Sequence, residues 1–160
     1  MAEDESVAAA KDFFIGTAAT VFVPKKDWQP KSLLARLDAG ANFMQTQICF
    51  NMKSMRRYMQ LLVNAGIPRR CAVMASLAVL PTGVAARELK YALQGAVMSD
   101  KLVQRISQAA DPGLESVTIC AEKIQQLREI PGISGVNLVS AGEPELLVAV
   151  LDAAGIVSTA

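Results

Sequence analysis

The side chains with the most chemical reach sit inside one apolar run. Residues 41–50 read ANFMQTQICF, with Gln45, Thr46 and Gln47 consecutive at its centre. A primary amide donates and accepts hydrogen bonds at once, which suits the edge of a heteroaromatic ring. Side chains alternate along a strand, so Gln45 and Gln47 are expected on one face with Thr46 on the other. Polar groups within a buried strand must find a protein partner or a ligand. Spacing alone leaves two outcomes open: a pair of ligand-facing amides, or core amides satisfied by their neighbours. In parallel α/β folds the strand C-termini face the site, which makes Gln47 the first place to look for function.

Other chemistry is mostly excluded. The chain contains no histidine, which removes Ser-His-Asp and Cys-His catalysis and HExxH zinc sites. Cys49, Cys71 and Cys120 are odd in number, lie in apolar segments and form no CxxC, so buried free thiols are expected. Glu88, Glu122, Glu129, Glu143 and Glu145 fall on helices or helix starts, where a solvated face or a dipole-favoured first turn accounts for them. Arg56-Arg57 and Arg69-Arg70 could attract phosphate, but a solvated helix face and a polar loop are the plainer reading. Met52, Met55 and Met59 recur at helical spacing and read as core. No P-loop or GxGxxG is present; Gly132-Ile-Ser-Gly135 is too short and precedes a strand rather than following one.

The elements that must position the amides follow from punctuation and period. Apolar residues at Leu33, Leu34 and Leu37 predict a helix over 31–39, stopped by Gly40. The run from Ala41 to Phe50 is short and β-rich, and reads as a strand covered on both faces. Strands are also expected over 13–19, 71–80 and 136–140, and helices over 52–65, 84–93, 99–110, 112–129 and 143–154. Asn51 and Asp111 are placed to cap, and Pro112 suits a first helical position. The first three strands recur about every 30 residues, the length of a βαβ unit. The fold class is therefore α/β, with parallel βα repeats. Residues 1–11 are expected to fray, and 12–160 to form a single domain. Four strands are too few for a βα-barrel, which needs eight. The sheet is then either small and open, with two exposed edges, or half of a TIM-type βα-barrel.

With 160 residues, 52% hydrophobic, 19% charged and a net charge of +1, the chain can build one real core. Near-neutral charge argues against a nucleic-acid footprint. No apolar run reaches the ~20 residues of a membrane span. The opening MAEDES lacks the basic and apolar regions of a signal peptide, so a cytoplasmic location is expected.

The run AGANFMQTQICFN resembles the AGAdfxxTQxxFd signature of the methylenetetrahydrofolate reductase family. FFIGTAA looks like that family's preceding strand, and GISGVNLVS with a helix ending AAGI looks like its last strand and helix, so the resemblance runs from Phe13 to Ile156. It implies a flavin-dependent βα-barrel that passes a hydride from NAD(P)H through FAD to methylenetetrahydrofolate, giving methyltetrahydrofolate for methionine synthesis. It further implies that Gln47 contacts folate and nicotinamide, that Ala18 and Gln45 line the flavin, and that Arg36, usually lysine in the family, approaches the flavin phosphates. The chain departs from the family in having Thr20-Val21 where proline often follows Ala-Ala, and Leu89 near an aromatic position. The four strands resemble the barrel's second half only. The glutamate and aspartate of the first half have no counterpart among them. Two functions are thus expected as alternatives. One is a flavoprotein reductase completed by self-association or a partner chain. The other is a non-catalytic half-barrel serving as an interaction or structural subunit.

Overall fold

A computed structural model describes residues 13–25, 27–92, 98–140 and 142–156. The expectations for residues 1–11 and for the helix end at residue 93 lie outside these. In chain order the elements are β1 (Gly16–Ala19), α1 (Lys31–Asp38), β2 (Phe43–Ile48), α2 (Met52–Asn64), a 3-10 turn (Ile67–Arg69), β3 (Ala72–Val79), α3 (Gly83–Ala92), α4 (Asp100–Gln108), α5 (Pro112–Arg128), β4 (Gly135–Ser140) and α6 (Pro144–Ala153). The strands form one parallel sheet in the order β1-β2-β3-β4.

The boundaries follow the capping chemistry. The Asn51 side chain accepts from the Ser54 amide at 3.0 Å, and Asp111 from Leu114 at 3.0 Å ahead of Pro112. Each satisfies an amide that the first helical turn leaves unpaired. Gly40 ends α1 at φ 99°, a left-handed conformation that costs glycine nothing. β1 is shorter than its sequence suggests. Phe13, Phe14 and Ile15 precede it and are exposed, because apolar residues there have no strand or helix against their outer side.

Sequential parallel strands joined by right-handed crossovers put every connecting helix on one side. Met44 of β2 and Val73, Ala75, Leu77 and Val79 of β3 face that side and are fully buried. They join one cluster with Met55, Met59 and Leu62 of α2 and Ile119, Cys120, Ile124 and Leu127 of α5. Among the described residues the opposite face carries no helix layer. The expectation that β2 is covered on both faces is therefore corrected: Gln45 and Gln47 are exposed while Met44 and Thr46 are buried.

Both sheet edges are free of strand partners among the described residues. The Ile15 carbonyl accepts from the Asn42 amide at 2.7 Å. Main-chain groups of successive residues point to opposite sides, so those of Gly16 and Ala18 point away from β2. The Ser134 amide bonds the Val73 carbonyl at 2.8 Å, so Gly135, Asn137 and Val139 point away from β3 by the same alternation.

The fold depends on the helix-side core, and one pair of neighbours reads this out. Leu62→Ala, at a fully buried position, is expected to cost ~2–5 kcal/mol. Val63→Ala, one residue on and 39% exposed, is expected to cost under about 1 kcal/mol. Urea unfolding monitored by circular dichroism measures both.

Candidate functional site

The helix-free face holds a cavity of about 600 Å³. Toward the strand N-termini its floor is apolar. The Phe43 ring lies over Gly16, where an added β-carbon would sit 2.2 Å from the ring Cζ. Phe14 stacks on the same ring with centroids 5.3 Å apart. Across the sheet Met74 lies over Gly135, where a β-carbon would come within 2.8 Å of its Cε. Glycine on each edge strand leaves the room these side chains fill.

Toward the strand C-termini the lining turns polar. Gln45, Gln47 and Asn137 border the cavity with Ile48 and Val139 beside them. Both glutamines are exposed, which rules out a core amide satisfied by its neighbours. Ser76 is only 2% exposed. Its Oγ donates to the Thr46 carbonyl at 2.6 Å, and Asn137 Nδ2 donates to that Oγ at 3.4 Å. A polar row thus runs from β4 through β3 to β2.

The strand under Gln47 is not regular. Gln45 pairs with Met74, but Ile48 pairs with Ser76, so β2 advances three residues while β3 advances two. This is a β-bulge. Simple alternation therefore does not carry through residues 45–48, although both glutamines still border one cavity.

Of the four residues singled out in the sequence, Ala18, Gln45 and Gln47 line the cavity together. Arg36 stands apart. Its guanidinium donates to the Ala18 carbonyl at 2.6 Å and to Thr17 Oγ1 at 3.3 Å, at the outer edge of β1. It also lies near Tyr58, whose phenol burial pushes up to about 12 against the opposing pull of the Arg36 charge. Leu89 is half-buried on α3, packed against the core. Ser76 and Asn137 escaped the sequence reading. Ser76 carried a signal nonetheless: it is a lone polar residue in a continuous apolar strand.

No charged side chain lines the cavity among the described residues. Nine charged side chains form surface pairs. Arg56 meets Glu129, Arg70 meets Asp38, Lys90 meets Asp100, and Arg105 meets both Glu115 and Glu122. The hydrogen bonds from Arg105 hold the Glu122 carboxyl below its usual range. No group of described residues could hold a metal ion. No helix among them is long and apolar enough to cross a membrane. The arrangement can bind and orient a flat polar ring; among the described residues it offers no carboxylate, imidazole or ammonium for proton transfer.

Residues 8–155 match the family model for methylenetetrahydrofolate reductase. The chain belongs to that family. No curated protein matches it. Methylenetetrahydrofolate reductases are one-carbon oxidoreductases built on βα-barrels. The sequential parallel strand order seen here is the order such barrels use.

The cysteines are not candidate nucleophiles in this methylenetetrahydrofolate reductase family member. All three are buried and free. Burial pushes the Cys49 thiol up to about 11 and Cys120 to about 12, and raises Cys71. A raised value keeps a thiol protonated at pH 8, and the thiolate is the reactive form. Native protein is expected to leave all three unmodified by a disulfide reagent at pH 8, with all three reacting once urea unfolds the chain. Absorbance of the released thiolate counts them.

Proposed function

We propose that the open face is one wall of a methylenetetrahydrofolate-reducing site, working with FAD and NAD(P)H in the cytoplasm. The observation that carries this reading is the pair of exposed amides, Gln45 and Gln47, at the C-terminal end of an inner strand above an apolar floor. A cavity of about 600 Å³ is in the range of small-molecule sites. Phe43 and Val139 offer flat or apolar contact, and the amides offer matched donors and acceptors for the edge of a flavin or pterin ring. The residues present therefore fit the ring of the cofactor. Arg36 is the cation nearest Ala18, and its reach toward a flavin phosphate requires it to leave the Ala18 carbonyl.

When bound, the flavin supplies the acceptance and release of hydride. The chain's own residues hold and align. Gln47 would hydrogen-bond the pterin or the nicotinamide amide and so orient whichever of them occupies the site. Gln45 and the Ala18 main chain border the flavin. The Phe43 ring excludes water from below.

A wall open on one side needs a second wall. The uncharged inner face and the two free edges suit four further parallel strands, from a second copy or from another chain. In a two-fold pairing of copies, the outward main-chain groups of Gly16 and Ala18 would meet those of Gly135, Asn137 and Val139. All these residues would then share the inner face.

A second reading is a non-catalytic half-barrel that serves as an interaction or structural subunit. The absence of a carboxylate among the described cavity-lining residues favours it, because protonation of a reduced folate needs an acid from somewhere.

The closed assembly is expected to quench flavin fluorescence on titration with FAD. Gln47→Ala is expected to weaken methyltetrahydrofolate binding about tenfold, the loss of one buried hydrogen-bonding group, with FAD affinity little changed. An assembly that binds neither compound supports the second reading. Light scattering decides closure by self-association, and a stable monomer with a protected sheet ends that idea.

A further inference from the structure

We propose that Ser76 and Thr46 form a clasp that positions Gln47, so that Ser76 is a positioning residue of the site. This deepens the functional reading above and rests on it only for the identity of the ligand. The bulge between Gln45 and Ile48 breaks the regular β2–β3 ladder, and a break in a buried sheet leaves main-chain groups that need partners. Two hydroxyls supply them. The Ser76 amide donates to Thr46 Oγ1 at 3.0 Å. Ser76 Oγ donates to the Thr46 carbonyl at 2.6 Å. Thr46 Oγ1 in turn donates to the Gln47 carbonyl at 2.9 Å. Both side chains are almost fully buried, at 2% and 3% exposure, and no buried side-chain polar atom among the described residues is left without a partner.

Gln47 and Ile48 follow the bulge and both border the cavity, the first exposed and the second half-buried. The hydroxyls hold the Gln47 main chain where a strand ladder would otherwise hold it, so the direction of the amide depends on them.

The test uses the full chain in the assembly that closes the sheet, with two hydroxyl-deleting variants, Ser76→Ala and Thr46→Val, and two hydroxyl-retaining ones, Ser76→Thr and Thr46→Ser. The first readout needs no ligand: the side-chain amide resonance of Gln47, assigned by its loss in Gln47→Ala. The second is affinity for methyltetrahydrofolate. The deletions are expected to shift or broaden the Gln47 resonance and to weaken binding about tenfold, while the retaining variants stay within about twofold of the parent. In a Gln47→Ala background Thr46→Val is expected to cost nothing more, because the two act through one amide. An unmoved Gln47 resonance in folded Thr46→Val, or losses that add in the double variant, overturns the proposal. If both deletions unfold the chain while the retaining variants fold, the hydroxyls serve the fold rather than the amide, and the proposal also falls. If the parent protein binds no folate, the functional reading fails, and the resonance still decides the clasp.

Discussion

A parallel sheet is ordinarily dry on both faces, and in this chain the helices cover only one. That constraint shapes everything else. The helix side is packed with Met, Leu, Ile and Val at zero to a few per cent exposure, and it supplies the stability. The other side is left with Phe14 and Val139 in contact with solvent. The same openness leaves a cavity of ligand size above the sheet. Core and cavity are thus separated onto the two faces of the same four strands.

The chemistry of the open face is that of amides and hydroxyls. Gln45, Gln47 and Asn137 are neutral over the whole range of physiological pH, so the recognition they offer does not depend on protonation. They can fix the orientation of a ring but cannot hand it a proton. The family's reaction draws its redox power from a cofactor, which leaves alignment as the protein's share. A face built to align, without acids or bases of its own, fits that division of labour.

Arg36 serves the free edge of β1. The outward carbonyl of Ala18 would otherwise be unpaired on the free edge of β1, and the guanidinium covers it. Charged side chains on edges discourage unwanted strand pairing. Any strand or anion that approaches β1 from outside meets this contact first.

The sequence alone determined the order of elements, their caps and the composition of the core. Asn51 and Asp111 cap where they stand because capping is a matter of a few neighbouring residues. Met55, Tyr58, Met59 and Leu62 are buried because period 3.6 puts them on one stripe. The Gln-Thr-Gln run was legible as a polar interruption of an apolar strand, and it borders the cavity. Only the tertiary structure decided that β2 has an open face, that its register slips by one residue against β3, that Ser76 and Asn137 stand beside Gln47, and that Arg36 turns to the sheet edge. Local periodicity fixes which way a side chain points from its own strand. Register and coverage are set by contacts between residues 30 to 61 positions apart, and no local pattern encodes those.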